Sequence, residues 1–357
     1  MAMNRLEQLF EELPDGSECA LITSDVNRRY FTGMKSSDGL VAVFRDKTYL
    51  LIDFRYIEKA RATVTAAEVI EANSPYKTLS ELIKKHGVKK VHVEAETMTL
   101  AAFERLKKSV NDVEFDGSEL LSAAINRLRT IKDDEELRCI KKAQEIAETA
   151  FDAILNFIRP GITEREIALE LNRQMLINGA EDISFETIAL SGANTSMPHG
   201  VPSDKMVCEG EFVLMDFGAV YNGYHSDMTR TVCVGKPTGE MEKVYNTVLE
   251  AQLRCLEAAK AGITGEELDA AARAVIDFAG YKDNFGHALG HGVGLEIHEG
   301  PIASPRNKEK LKAGSVVTIE PGIYIAGKFG VRIEDFVILT ENGCDNLTKC
   351  AKNIISL

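Results

Sequence analysis

Glu211-Phe-Val-Leu-Met-Asp216-Phe-Gly-Ala-Val-Tyr221-Asn-Gly-Tyr224-His-Ser-Asp227-Met-Thr-Arg-Thr231 reads as two apolar strands folded back on each other at Asn222-Gly223. Asn-Gly is a strong two-residue hairpin signal, because a type I′ turn needs positive φ at both central positions. With that turn, Tyr221 pairs with Tyr224, Asp216 falls opposite Thr229, and Gly218 falls opposite Asp227. Side chains alternate along a strand, so Asp216, Asp227 and Thr229 are expected on one face. Diagonal neighbours on an antiparallel pair lie roughly 7 to 8 Å apart at the backbone, close enough for two carboxylates to converge on one small object. Gly218, lacking a side chain, is expected to leave room for it. Two acids directed inward among Phe, Val, Leu and Met need a cation between them, a shared proton or basic partners.

The chain repeats this arrangement. Pro160-Gly161-Ile162-Thr163-Glu164-Arg-Glu166-Ile167 recurs as Ala261-Gly262-Ile263-Thr264-Gly265-Glu-Glu267-Leu268, each opening an amphipathic helix. Thr163 with Glu166, and Thr264 with Glu267, have the spacing of capping boxes. Gly210-Glu-Phe-Val-Leu-Met-Asp216 lines up with Gly314-Ser-Val-Val-Thr-Ile-Glu320, and Asp227 finds a counterpart in Glu334, within Gly330-Val-Arg-Ile-Glu334-Asp-Phe-Val-Ile-Leu339. Each half thus offers a strand pair bearing two acids, and a pseudo-twofold axis between the halves would gather four carboxylates at the seam. An arbitrary acid is ordinarily a solvated surface residue. Four at equivalent places in apolar strands do not fit that pattern.

Histidines fall in the same region. His86 and His92 lie early in the chain, whereas His199, His225, His287, His291 and His298 follow, the last three in Gly286-His287-Ala-Leu-Gly290-His291-Gly-Val-Gly294-Leu-Glu-Ile-His298-Glu299. A lone histidine is more often structural than a ligand, but three in a glycine-rich stretch between two acidic strand pairs point to function. One imidazole with four carboxylates makes a shell for two divalent ions, which in two-metal hydrolases sit roughly 3.5 to 4 Å apart. The oxygen-rich donor set favours manganese, with cobalt or zinc able to occupy it.

The rest of the chain sets bounds on the reading. Its 357 residues are enough for two domains. A net charge of −13 argues against a nucleic-acid or anionic-membrane surface. No apolar stretch is long enough to span a membrane. The N-terminal Met-Ala-Met-Asn-Arg-Leu-Glu lacks the apolar core of a secretion signal, which points to the cytoplasm. Seven scattered cysteines without a CxxC pair read as reduced thiols. Strands at Cys19–Thr23, Gly39–Phe44, Thr48–Ile52 and Val91–Glu94, with a helix near 78–86, make the first part an α/β domain with a mixed sheet. A hydrophilic helix begins near Asp133-Asp-Glu-Glu136, so the boundary is placed at about residues 122 to 132, dividing the chain into 1–125 and 126–357.

The chain resembles the proline-specific metallopeptidases of the pita-bread fold, the Xaa-Pro dipeptidase and Xaa-Pro aminopeptidase group, over essentially its whole length. The resemblance rests on Asp216, Asp227, His291, Glu320 and Glu334, set in Met-Asp-Phe-Gly, Ser-Asp-Met-Thr-Arg-Thr, Gly-His-Gly-Val-Gly, Ile-Glu-Pro-Gly-Ile-Tyr and Arg-Ile-Glu-Asp. Asp25-Val-Asn27-Arg-Arg-Tyr30-Phe-Thr-Gly33 looks like the segment typical of a creatinase-like N-terminal domain. It implies an α/β creatinase-like domain followed by an α+β pita-bread catalytic domain with an internal pseudo-twofold repeat. It also implies that Asp216 holds one metal, that His291 and Glu320 hold the other, and that Asp227 and Glu334 bridge. His199, His298 and Glu320 match positions expected to move protons or steady the oxyanion, and His287, Tyr324 and Arg332 match positions near the substrate. Tyr324 could equally pack, and Arg332 could only neutralise the acids. The implied substrates are peptides with proline in second place, and the implied assembly is a homodimer. Methionine aminopeptidase shares the fold and ligands, but the extra N-terminal domain and Met-Pro-His-Gly speak for the proline-specific branch. Creatinase works without the metal set, and a non-catalytic, peptide-binding pita-bread domain would have lost ligands that are intact here. Ile302 stands where some prolidases place an arginine, which weakens a strict dipeptidase reading and leaves Arg306, Arg332 or a partner subunit's arginine to meet a free carboxylate.

Overall fold

In the computed structural model, which describes residues 5–357, Asn222 and Gly223 take φ of 49° and 85°. Both are positive, as a type I′ turn requires. Tyr221 pairs with Tyr224 and Asp216 with Thr229. Gly218 has a different purpose from the one expected. A Cβ there would strike the Ser226 carbonyl and lie 2.9 Å from Ser184 Cβ. The glycine therefore admits neighbouring backbone, not a ligand, and it breaks the strand into Phe212–Phe217 and Ala219–Tyr221, which belong to separate sheets. The first four residues, part of the N-terminal stretch read for a signal, lie outside the described residues.

The chain divides into two compact units, Met1–Arg129 and Thr130–Leu357. In the first, a six-stranded mixed sheet has the order Glu68–Glu71, Thr48–Ile52, Leu40–Phe44, Cys19–Ile22, Lys90–Val93, Glu114–Asp116. Its central strands are buried along their length, which is why they read as continuous apolar runs. The Asp25–Thr32 helix is capped by Ser24 and stopped by Gly33 at φ 71°. Buried Glu94 accepts from Ser24 N, Ser24 Oγ and Asn27 Nδ2 at 2.7 to 2.9 Å, fixing the start of that helix.

The second unit is built twice. Helices Asp134–Ile154 and Glu164–Ile177 precede a sheet of order Met228–Cys233, Phe212–Phe217, Ile188–Ser191. Helices Gly239–Ala258 and Gly265–Phe278 precede a sheet of order Glu299–Ala303, Gly290–Gly292, Val316–Ile319, Asp335–Leu339, Cys344–Asn346. Both expected capping boxes form, at Thr163 and at Thr264. The turns that precede these caps make matching bonds: Val207 N donates to Ile162 O and Leu311 N to Ile263 O, each at 2.8 Å. Each half packs its own apolar core, one around Phe151, Leu171 and Met215, the other around Val248, Leu268 and Val337.

The register of the second half continues from Ile319 opposite Asp335 to Gly322 opposite Arg332. Glu320 and Glu334 therefore face each other at the break between the two ladders, whereas Asp227 is diagonal to Asp216. Among the described residues no helix is long and apolar enough to cross a membrane. All seven cysteines are free.

Candidate metal centre

All five acid and imidazole positions singled out in the sequence line one cavity of about 560 Å³. One ligand atom each from Asp227, His291 and Glu334 lies within 4.8 Å of the others. His291 Nε2 is 3.6 Å from Asp227 Oδ2 and 3.5 Å from Glu320 Oε1. Asp216 stands beside this group, its Oδ2 paired with Arg332 Nη2 at 2.5 Å.

Second-layer bonds orient these side chains. His291 Nδ1 faces the Gly292 carbonyl at 3.0 Å, so Nδ1 carries the hydrogen and Nε2 turns its lone pair toward the acids. Thr318 Oγ1 accepts from His291 N at 2.9 Å and donates to Glu320 Oε1 at 3.2 Å. Thr229 Oγ1 donates to Glu334 Oε2 at 2.7 Å. Thr318 lies two residues before Glu320 and Thr229 two after Asp227, so strand alternation gives both hydroxyls the face of the acids.

Electrostatics tests whether the residues fit a cation. Burial, with Glu334, Asp216 and Glu320 close by, raises Asp227 well above the ordinary carboxylate range. Glu334 is raised in the same way, by burial first and then by Glu320 and Asp216. Burial pushes Glu320 up to about 8, against the pull of Arg332. Burial pushes His291 down to about 4, so its imidazole is neutral, as a ligand must be. Asp216 Oδ1 is buried without a hydrogen-bond partner among the described residues. An orphaned carboxylate oxygen, acids that resist ionising together and a neutral imidazole together fit the donor set that a divalent cation takes.

His199, His287, His298 and Arg332 line the same cavity. The His298 ring meets His291 edge-on, with centroids 4.3 Å apart. His287 has both nitrogens engaged: Nδ1 donates to Ala288 O at 2.8 Å, leaving Nε2 to accept from the Tyr324 hydroxyl at 2.9 Å. Burial and Arg332 hold His287 down to about 4. It offers a neutral ring as a wall. Tyr324 is not among the lining residues; it stands behind them, where Arg332 Nη1 donates to its hydroxyl at 2.8 Å. The guanidinium also reaches Thr229 Oγ1 and Pro198 O. Ile302 lines the cavity and Arg306 does not.

A buried network behind the site had no counterpart in the sequence reading. Arg230 Nη1 donates to Glu334 O at 2.6 Å, and Arg230 Nη2 pairs with Asp335 Oδ1 at 2.8 Å. No local pattern marks it, since its partners are more than a hundred residues apart.

Residues 138–341 match the model of metallopeptidase family M24, and residues 3–131 match the creatinase/prolidase N-terminal domain. The chain belongs to metallopeptidase family M24. It is 41% identical over 353 residues to an Xaa-Pro dipeptidase of Pyrococcus furiosus, covering 98% of this chain and 99% of that one. A solved Xaa-Pro dipeptidase from Bacillus anthracis superposes with a TM-score of 0.95 at 40% identity, covering 99% of each chain. An X-Pro aminopeptidase from Thermotoga maritima superposes with a TM-score of 0.91 at 39% identity, covering 96% of this chain and 98% of that one. This M24 protein is thus an enzyme, a metallopeptidase with the two-domain pita-bread architecture.

Proposed function

We propose that this M24 enzyme hydrolyses the bond before proline at the N-terminus of short peptides, using two divalent ions held by Asp216, Asp227, His291, Glu320 and Glu334. The observation that carries the reading is the convergence of those five side chains with His199 and His298 on one cavity. Relatives of nearly full-length coverage named for Xaa-Pro bonds support the substrate class. The oxygen-rich set favours manganese, with cobalt or zinc as substitutes.

When bound, the ions acidify a water and polarise the scissile carbonyl. Glu320, whose Oε1 lies 3.5 Å from His291 Nε2 within the set of residues that would hold the ions, is placed to take the proton released by that water. His298 and His199 donate hydrogen bonds to the oxygen that gains charge at the carbonyl, or pass a proton to the leaving nitrogen. That nitrogen belongs to proline and has no hydrogen in the substrate, so it must gain one to depart. His287 walls the proline, and Arg332 holds Asp216 in place.

Arg332 is the one permanently cationic side chain among the lining residues, and its three nitrogens are committed to Thr229, Tyr324, Pro198 and Asp216. A free proline carboxylate gains little there, which favours substrates that continue beyond proline. The homodimer implied by the family resemblance and the cytoplasmic setting expected from the sequence belong to the same proposal; light scattering tests the first. Turnover of Ala-Pro and Ala-Pro-Ala by manganese-loaded enzyme tests the main reading. Cleavage of both, with the tripeptide preferred, is expected. Failure to cleave either, with Ala-Ala-Ala accepted instead, would overturn it.

A further inference from the structure

We propose that Glu164 is a positioning residue for this reaction, its buried carboxylate clasping both ends of the 191–203 segment so that His199 is held on the cavity wall. The proposal rests on the reading of His199 given above.

Glu164 follows the cap Thr163 and opens the Glu164–Ile177 helix. An acid there is usually solvated, favoured only by the helix dipole. Glu164 is instead fully buried. Its two oxygens take the serines at the two ends of the segment separately and share Asn194. Oε1 accepts from Ser191 N at 2.7 Å, Ser191 Oγ at 3.3 Å and Asn194 Nδ2 at 3.0 Å. Oε2 accepts from Ser203 N at 3.1 Å and Ser203 Oγ at 2.6 Å, with Asn194 Nδ2 at 3.2 Å. One carboxylate thus ties the two feet of the loop whose crest, Pro198 to Pro202, lines the cavity. Hydrogen bonds to a charged acceptor are the stronger kind, and an array that is fully satisfied fixes a single conformation.

Closing the repeat does not require this acid. In the second half Gly265 occupies the equivalent helix position, and a Cβ there would lie 2.8 Å from Asn307 Nδ2, which fills the space. The flanking backbone bond survives without the carboxylate: Arg165 N donates to Ser203 O in one half and Glu266 N to Asn307 O in the other. The clasp belongs to the half that presents His199.

Glu164→Gln keeps the shape but turns one acceptor into a donor facing other donors. With metal stoichiometry unchanged, kcat/KM should fall about 10- to 100-fold. Hydrogen exchange should show lost protection in peptides covering 192–202 and retained protection over 212–231. In a His199→Ala background the same substitution should cost no more than about twofold, because both changes act through one group. Wild-type kcat/KM in Glu164→Gln, or the full penalty persisting without His199, would overturn the proposal. If His199→Ala alone turns over at the wild-type rate, the role of His199 falls; unchanged protection at 192–202 marks failure of the clasp itself. Should Glu164→Gln not fold, Ser203→Ala removes a single donor from one foot, and unchanged protection there overturns the clasp.

Discussion

Thr229 joins the two halves of the catalytic unit to Glu334: its hydroxyl donates to Glu334 Oε2 at 2.7 Å, while Glu334 N donates to Thr229 O at 3.1 Å. The same hydroxyl accepts from Arg332 Nε at 3.0 Å. One short side chain therefore sets the angle of a proposed bridging ligand and of the guanidinium that holds Asp216. Thr229→Val keeps the volume and removes both bonds. Metal affinity is expected to drop about 10- to 100-fold, the usual cost of losing a partner of a ligand. Titration of the stripped protein with manganese checks this, and unchanged affinity would show that Glu334 is oriented by the backbone alone.

Asp227→Asn replaces a buried acid near both His291 and Glu334 by a neutral group of the same shape. Metal-dependent turnover should vanish and bound metal should fall. Full activity with two ions retained would remove Asp227 from the ligand set.

Much of the centre was legible because it is written in local rules. The Asn222-Gly223 turn sets the register of Asp216 with Thr229, and alternation then gives the face of Asp227. The repeat supplies Glu320 and Glu334 by the same logic. What escaped depends on contacts between distant segments. Gly218 is required by Ser226 and Ser184, not by a ligand. For Tyr324 the sequence leaves substrate contact and packing both open, and its hydroxyl is engaged by Arg332 and His287, which do line the cavity. Glu164 looks like an ordinary first-turn acid until Ser191 and Ser203, 27 and 39 residues away, close over it.

His298 is exposed at the cavity, edge-on to His291, and among the described residues it donates to none of the four acids proposed to hold metal. His298→Ala should therefore leave metal content intact while lowering kcat about 10²- to 10⁴-fold, the range for loss of a proton-transfer group. A change confined to KM would make it a binding residue instead.

The acid cluster also predicts how stability depends on pH. Asp227 and Glu334 are raised when folded, and Glu320 is pushed up to about 8. Unfolded carboxyls titrate near about 4. Between those values these three acids hold more protons in the folded, metal-free protein than in the unfolded chain, so their contribution to stability falls as pH rises. His287 and His291, held down to about 4 when folded, act in the opposite direction below about 6.5. Metal removes the penalty by binding the ionised acids. Melting of chelator-treated enzyme from about pH 6.5 to 8, above the unfolded range of the histidines, should show Tm declining, with a gap to the manganese-loaded form that widens across the range. A gap independent of pH would mean the acids are not what the metal neutralises.

The pair behind the site should matter to folding more than to chemistry. Arg230 and Asp335 are 1% and 0% exposed, and Asp335 Oδ2 also accepts from Gln252 at 2.9 Å and from Asn346 and Lys352 at 2.6 Å. Burial opposes the charge on Asp335, yet Arg230 and Lys352 hold its carboxyl below the usual range. A depressed carboxyl stabilises the fold above its unfolded value near about 4 and loses that contribution as pH falls toward its folded one. Asp335→Ala leaves Arg230 buried without its counter-charge, which costs about 3 to 5 kcal/mol. Replacing both, as Arg230→Met with Asp335→Leu, should recover part of that loss, since it removes the uncompensated charge of Arg230 but leaves Gln252, Asn346 and Lys352 without their acceptor. Arg230 also donates to the Glu334 carbonyl, so the recovered double variant should still bind metal more weakly than wild type. Urea unfolding and manganese titration on the same three proteins check both parts. A loss below about 1 kcal/mol in Asp335→Ala would place the pair with surface ion pairs in its energetic weight.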